Sequence, residues 1–410
     1  MRVQILPEGT TAESLQPMQF APSGVDGPLP RSYGRWRPRA VLGADSAGGL
    51  LLPDADPTAA QLYAPRGVHV DESRVVVADT GNHRVLIFDG HPDHDGPDAG
   101  VVLGQADAYS EGPQAAGRGP DGGMNLPTGV LVDNGRLVVA DAWNHRILVW
   151  DSVPTTTDTR PDLVLGQPDR ISVDPNRAGL PQATSLYWPF GIAVVDGRFV
   201  VADTGNRRVL IWNDGIPAGP DVAADVVLGQ DGPAQREENR GGAVSASSFR
   251  WPHALVDDGR GGLLVADAGN HRVLGWHECP AADVPADFVL GQPDHTTAVE
   301  FPYRPQVGTV FRFPYGLSGL GTPDARGLAV ADTANNRVLL WDQFPYDPSV
   351  EPDHVLAQPD FGSNGENRWQ HVDRDTLCWP YGLGSYADAD LQLLAVADSG
   401  NNRVVLWERT

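Results

Sequence analysis

The sequence predicts an all-β protein, a six-bladed β-propeller built of four-stranded antiparallel blades. A unit of about 62 to 66 residues occurs six times along the 410-residue chain. Each unit contains short runs rich in Val and Leu that Pro, Gly or Asp interrupt, as in small antiparallel sheets. The sixth unit stops at VVLWERT without its fourth apolar run, whereas AVLG, residues 40–43, precedes the first unit and has no unit of its own.

We expect residues 40–43 to become the outer strand of the last blade and so to close the ring. Closure removes the exposed sheet edge that an open array would present. The alternative, an open solenoid, would need capping repeats at its ends. The predicted division is an irregular N-terminal arm, residues 1–37, followed by the propeller, residues 38–410. The arm ends in the basic stretch RSYGRWRPR, which could pack on the propeller or bind a partner.

The first strand of each unit follows a Pro-x-Gly or Pro-x-Ala landmark. In a propeller the first strand is innermost, so the residue after each proline should face the central channel. These residues are our candidate ligand-binding positions at the channel mouth: Arg66, Thr128, Phe190, His253, Tyr315 and Tyr381.

The second strand ends at the Asp of a sixfold Asp-x-x-Asn-x-Arg motif, and the third strand begins at its Arg. We expect the Asp to accept hydrogen bonds from the amides of the turn that it opens. The Arg should bind that Asp, or carbonyls of a neighbouring blade, in bidentate fashion. Six equivalent active sites are implausible, so we interpret the motif as structural. The aromatic residue that ends each third strand should pack between sheets.

The fourth strand is the VLG run, about fifteen residues further on. Long connections then lead to the next landmark, and they should lie on the same face as the motif turns. Their repeated Asn-Arg pairs, at residues 176–177, 239–240 and 367–368, should pack against the ring. Their unrepeated parts, such as residues 108–125 and 295–312, form the predicted interaction surface.

The segment VADTGNHRVLIF, residues 77–88, resembles the NHL repeat, and the VLGQPD runs resemble long-repeat bacterial NHL proteins. The resemblance extends over about residues 40–410. It implies a six-bladed propeller and by itself little chemistry.

The residues do not match the metal sites of similar propeller enzymes. The amidating lyase of peptide-hormone processing holds zinc on several axial histidines, and here only His253 corresponds. Calcium-dependent lactonases use axial Glu, Asn and Asp oxygens, and none of the six candidates is acidic. We therefore expect no metal, no cofactor and no catalytic set. The loop DGHPDHDGPD, residues 89–98, has ligand-type His and Asp side chains, but we interpret it as a solvated loop.

Composition restricts the partners. The 30 basic residues, all Arg, face 53 acidic residues, and the net charge of −23 disfavours nucleic acid and anionic membranes. Without lysine, Schiff-base chemistry is excluded. Two cysteines and the lack of a signal-peptide pattern predict a cytoplasmic protein.

These observations favour a non-enzymatic binding or scaffold module that engages a protein partner through its loop-bearing face. The mixed channel mouth could also hold a small anionic ligand, or its side chains could merely plug the channel. The alternative function is an axial-site lyase or lactonase-type hydrolase acting on a small anionic or aromatic substrate.

Overall fold

The structure, a computed structural model, describes residues 33–43, 57–300, 306–322 and 326–410. It contains six antiparallel sheets of four strands each, so the predicted fold is confirmed. Six clusters of buried apolar side chains lie between neighbouring sheets, and the last of them joins the sixth sheet to the first. Each sheet is therefore a blade of a closed ring, and the core is divided among the six interfaces.

The first strand in the chain belongs to the last blade and is β1 (Trp36–Leu42). The strands of blades 1 to 3 are β2 (Gly67–Val70), β3 (Arg74–Asp79), β4 (Arg84–Asp89), β5 (Val101–Leu103), β6 (Val130–Asp133), β7 (Arg136–Asp141), β8 (Arg146–Trp150), β9 (Leu163–Leu165), β10 (Pro189–Val195), β11 (Arg198–Asp203), β12 (Arg208–Trp212) and β13 (Val226–Leu228). Those of blades 4 to 6 are β14 (Pro252–Asp257), β15 (Leu263–Asp267), β16 (Arg272–Trp276), β17 (Phe288–Leu290), β18 (Pro314–Leu320), β19 (Gly327–Asp332), β20 (Arg337–Trp341), β21 (His354–Leu356), β22 (Pro380–Ala387), β23 (Gln392–Asp398) and β24 (Arg403–Arg409).

The ring closes through β1, which pairs antiparallel with β24 and completes the blade β1-β24-β23-β22. Its register runs from Trp36 opposite Arg409 to Leu42 opposite Val404. The strand is longer than the predicted residues 40–43 because the Trp36 side chain is fully buried and anchors an additional pair. The paired strand therefore begins two residues inside the segment that the sequence assigned to the arm. Residues 1–32 of the predicted arm lie outside the described residues.

The aromatic side chain at the end of each third strand is buried, as predicted. Each ring contributes to a core cluster. In four blades the indole Nε1 donates a hydrogen bond to a carbonyl oxygen of the following loop, for example from Trp150 to Thr159 at 3.0 Å and from Trp341 to Val350 at 3.0 Å. The six residues are Phe88, Trp150, Trp212, Trp276, Trp341 and Trp407.

The landmark glycines let the innermost strands approach one another around the axis. A Cβ on Gly67 would lie 1.8 Å from the carbonyl oxygen of Thr128, and one on Gly191 would lie 2.1 Å from that of His253. A side chain at these positions is sterically excluded. The glycines thereby set the narrow bore of the channel.

Helical segments are limited to short turns, and in the described residues none is long and apolar enough to cross a bilayer. One set of turns is the Asp-x-x-Asn-x-Arg motif: Thr80–Asn82, Ala142–Asn144, Thr204–Asn206, Ala268–Asn270, Thr333–Asn335 and Ser399–Asn401. A second set lies in the connections between blades: Pro113–Gly117, Pro175–Ala178, Glu238–Gly241 and Glu366–Trp369. Because strands alternate in direction, both sets lie on one face of the ring, which we call the turn face.

Candidate functional site: an aromatic and cationic mouth on the turn face

The sixfold motif is a buried polar scaffold. In the third blade, Asp203 Oδ2 accepts hydrogen bonds from Asn206 Nδ2 at 2.8 Å and from Arg208 Nε at 2.7 Å. Its Oδ1 accepts from the amide of Tyr187 at 2.7 Å. The remaining guanidinium nitrogens of Arg208 donate to carbonyls of the loops before and after the blade, such as Gln182. The motif therefore ties each turn to both flanking connections.

One detail of the predicted motif geometry is wrong, and the expected arginine contacts are confirmed in part. The Asp does not cap the turn amides, because its Oδ1 bonds an amide two residues before the landmark proline instead. The Arg contacts the carboxylate through Nε alone, since its other nitrogens serve loop carbonyls. The structural interpretation of the motif fits both contacts.

The repeated Asn-Arg pairs of the connections pack against the ring as predicted. Asn176 Nδ2 donates to Oδ1 of the motif asparagine Asn206 at 3.0 Å, and Asn367 does the same to Asn401 at 3.0 Å. In both pairs the motif asparagine returns a hydrogen bond to the loop asparagine.

A second ring of hydrogen bonds joins neighbouring blades at the mouth. It links the residue after the motif Asn, here called the turn-end residue, to the residue before the next landmark proline, here called the rim residue. His145 Nδ1 accepts from the amide of Trp188 at 3.2 Å, and Asn336 Oδ1 accepts from that of Trp379 at 2.9 Å. Five of the six blades make this bond, in the order His83–Leu126, His145–Trp188, His271–Phe313, Asn336–Trp379 and Asn402–Ala64.

The exception is the boundary between blades 3 and 4. The turn-end residue there is Arg207, whose guanidinium has no acceptor atom. The amide of the rim residue Trp251 lies 3.4 Å from Asp267 Oδ1 of its own blade instead. The other five rim residues have φ between +45° and +52°, but Trp251 does not adopt this conformation. The repeat is therefore broken at one place on the mouth.

The structure brings five of the six candidate mouth residues into one chain of contacts around the axis. Ring centroids are 4.4 Å apart for Phe190 and His253, 4.4 Å for His253 and Tyr315, and 4.7 Å for Tyr315 and Tyr381. The guanidinium carbon of Arg66 lies 4.8 Å from the Tyr381 ring centroid, a cation–π contact.

Thr128 differs from the other five candidates. Its Oγ1 lies 3.2 Å from the carbonyl oxygen of Phe190 and 3.3 Å from that of Pro189, so the hydroxyl joins blades 2 and 3. It lines the narrow channel below the mouth but not the mouth itself.

The mouth is a cavity of about 280 Å³ on the turn face. The channel below it is a smaller cavity of about 100 Å³, which apolar side chains such as Val68, Val130 and Leu317 also line. The cavity wall is mainly aromatic, its charged members are two arginines, and none of its residues is acidic. The wall consists of Arg66, Tyr187, Trp188, Phe190, Thr204, Gly205, Arg207, Trp251, His253, Tyr315 and Tyr381.

His253 is a neutral member of this wall. Its Nδ1 lies 3.1 Å from the carbonyl oxygen of Trp251, to which it must donate, so Nε2 is left as an acceptor. Burial, with a smaller contribution from Arg66, lowers the pKa of His253 to about 4. Burial also raises the pKa of Tyr315 and of Tyr381, so both phenols are neutral at physiological pH.

The loop of residues 89–98 has a structural role that the sequence did not reveal. Asp95 Oδ1 accepts from the amide of Val41 in β1 at 2.9 Å, and its other oxygen pairs with Arg374. His91 Nε2 lies 2.6 Å from the carbonyl oxygen of Asp71. Asp95 thus holds the loop to the closing strand, and His91 holds it to the turn between β2 and β3. Across the described residues, no three His, Cys, Asp or Glu side chains are grouped as a metal site.

Comparison with known proteins identifies the repeat. The family model of the NHL repeat matches residues 62–88 and 124–150. "NHL repeat-containing protein 2" of Gallus gallus is 29% identical over 389 residues, which cover 90% of this chain and 49% of that protein. The chain thus spans about half the length of this relative.

Among solved structures, an auxiliary nutrient binding protein from Bacteroides thetaiotaomicron is similar, with a TM-score of 0.52 and 8% identity over 92% of this chain and 76% of that chain. A streptogramin B lyase has a TM-score of 0.40 and 12% identity, with coverage of 88% and 96%. The fold and the sixfold motif define a β-propeller of tandem repeats. The chain contains NHL repeats in blades 1 and 2, and the similarity to the Gallus gallus protein supports an NHL-repeat protein.

Proposed function

We propose that the chain is a non-enzymatic binding module that holds a protein partner on its turn face. The distribution of exposed apolar side chains carries this proposal. In the described part of the chain every exposed Trp, Tyr, Ile and Leu lies in a motif turn or in a connection between blades, while the exposed large apolar residues of the loops between third and fourth strands are three valines. The turn-face set is Tyr63, Tyr109, Trp143, Ile171, Leu180, Val299, Val307, Trp369 and Trp379.

This pattern matches what an interface requires. Trp143 is 44% exposed and its ring centroid lies 5.1 Å from that of Trp188 in the mouth wall, so exposed and mouth aromatics are continuous. Trp369 is 76% exposed. Exposed tryptophans on one face of a soluble protein favour a binding surface, since Trp, Tyr and Arg supply most interface hot spots.

The test is partner capture by crosslinking and mass spectrometry from the native lysate. The double variant Trp143→Ser/Trp369→Ser should lose the partner that the wild type captures. The matched control, Val222→Ser/Val350→Ser, removes exposed apolar side chains from the loops between third and fourth strands and should retain it. Equal capture by both double variants would contradict the proposal.

The second candidate function, an axial-site enzyme, is favoured only by His253, whose Nε2 is free to accept a proton at the mouth. A pKa of about 4 makes this imidazole a poor general base near neutral pH, because catalytic bases work best with a pKa close to the operating pH. A turnover that His253→Ala abolishes, with partner capture intact, would establish the enzyme instead.

A further inference from the structure

We propose that Arg66 and Arg207 together bind the carboxylate or phosphate group of a small planar ligand whose ring lies against the aromatic wall of the mouth. This inference goes beyond the proposed function, because it concerns a small ligand at the centre of the turn face and not the protein partner.

The charges of these two arginines are not neutralised by the described part of the protein. Arg66 and Arg207 form no ion pair there, and each has a buried Nε without a hydrogen-bond partner. Arg207 donates only to the carbonyl oxygens of Gly205 at 3.4 Å and Arg236 at 3.1 Å. By contrast, Arg250 pairs with Glu238 at 3.0 Å on the same face. Two uncompensated guanidinium groups in one cavity favour an anion, which they bind by charge-assisted hydrogen bonds.

The position of Arg207 supports a binding role over a structural one. Five turn-end residues are His or Asn and accept the rim amide of the next blade, and Arg207 alone cannot. With arginine at this position, the ring therefore has one hydrogen bond fewer between blades. Violations of a repeated local rule are expected at functional sites, where the gain is in binding. Here the gain is a second cation in the mouth.

The shape of the mouth selects a planar ligand of modest size. Tyr315 and Tyr381 lie at an interplanar angle of 14°, and Phe190 and His253 continue the same wall. A cavity of about 280 Å³ is at the small end of ligand pockets. The arginines are contributed by blades 1 and 3, while the aromatic wall extends over blades 3 to 6. A ligand can thus place its ring on the aromatic side and its anionic group between the arginines.

Calorimetric titration with 2-naphthoate and with its neutral isostere 2-naphthamide tests the proposal. The two probes share the ring and differ in charge, so the wild type should bind naphthoate about tenfold more tightly or better. Arg66→Gln and Arg207→His should each reduce naphthoate affinity about tenfold and leave naphthamide affinity within about twofold. Arg207→His introduces the residue that three other blades have at this position, so folding should be preserved. Arg136→Gln, on the opposite face, is the matched control.

A third probe, 2-naphthyl phosphate, distinguishes the two anions. The group recognised is the one that the wild type binds more tightly and for which both arginine variants have lower affinity. Equal affinity for naphthoate and naphthamide would overturn the proposal. So would unchanged naphthoate affinity in both arginine variants, or no binding of any probe. These results would leave partner capture by the turn face untouched. Equal partner capture by the two double variants, with naphthoate still bound more tightly than naphthamide, would instead overturn the proposed function alone.

Discussion

Replacement of the turn-end residue His145 tests whether the ring of hydrogen bonds between blades stabilises the mouth. His145 is 7% exposed, accepts the amide of Trp188 and makes an edge contact with Tyr187 at 5.2 Å. His145→Ala removes both contacts. One net hydrogen bond is worth about 0.5 to 1.5 kcal/mol and an aromatic pair about as much, so the free energy of unfolding should fall by about 2 kcal/mol.

The chain itself provides the matched control. Asn336 and Asn402 occupy the same position in two other blades, with φ of 52° and 57°, and their side-chain oxygens accept the rim amide at 2.9 Å. His145→Asn should therefore keep the hydrogen bond and lose only the aromatic contact, at a cost of about 1 kcal/mol. Urea unfolding at pH 7.5, followed by circular dichroism, measures both variants. Equal losses for His145→Ala and His145→Asn would refute the reasoning.

The wild type and His145→Asn together test the role of histidine protonation. Burial is the main cause that lowers the pKa of His145 to about 4, while Asp174 acts weakly in the opposite direction. A histidine whose folded pKa is depressed stabilises the protein above its ordinary pKa of about 6.5, and that stability is lost as pH falls toward 4. At pH 5 the loss due to His145 is about 1 to 2 kcal/mol after allowance for partial solvation. His145→Asn should therefore lose less stability than the wild type between pH 7.5 and pH 5, and an identical loss would contradict the assignment.

Three further predictions address the ring, the motif and metal. Deletion of residues 1–45 removes β1 and exposes the edge of β24, so light scattering should detect aggregation or calorimetry should show loss of the single cooperative transition; a truncated protein that melts like the full chain would refute closure by this strand. Asp203→Ala leaves the fully buried Arg208 without its carboxylate and should cost about 1 to 3 kcal/mol in urea unfolding, and an unchanged midpoint would refute the scaffold role. Elemental analysis should find no stoichiometric metal, and a chelator should leave the melting temperature unchanged; one zinc or calcium per chain would contradict both expectations.

The fold was predictable because each blade repeats the same local signals. Six copies of one strand-and-turn pattern restrict the register of the strands within each blade. Residues 40–43, which belong to no unit, indicated how the ring closes. The length of the closing strand was not predictable, because it depends on burial of Trp36 against the neighbouring blade. The same limit applies to Asp95, whose contacts with Val41 and Arg374 join segments that are distant in sequence.

The candidate site was predicted in part. The position after the landmark proline located five residues of the mouth wall, because the innermost strand of a propeller must face the axis. Their role in binding a ligand stays a prediction. Among the six candidates, Thr128 is the exception in position, because its hydroxyl donates a hydrogen bond to a carbonyl oxygen of the next blade. The rim residues Trp188 and Trp251 were missed because only the residue after each landmark proline was considered. Arg207 was missed although the alignment already showed it, in VADTGNRRVLIW, where the other turn-end residues are His or Asn.

A sixfold repeat makes single departures informative, since each position has five internal controls that share its backbone setting. Blade boundary 3/4 carries three departures together: Arg207 replaces an acceptor, Trp251 has left the positive-φ conformation of the other rim residues, and His253 is followed by Ala254 where the other blades have glycine. Departures that served only packing would be distributed over all six interfaces, each of which has its own apolar cluster. Here Arg207 and Trp251 line the mouth, and Ala254 lines the narrow channel below it. We therefore expect variants at this boundary to change binding at the mouth more than stability.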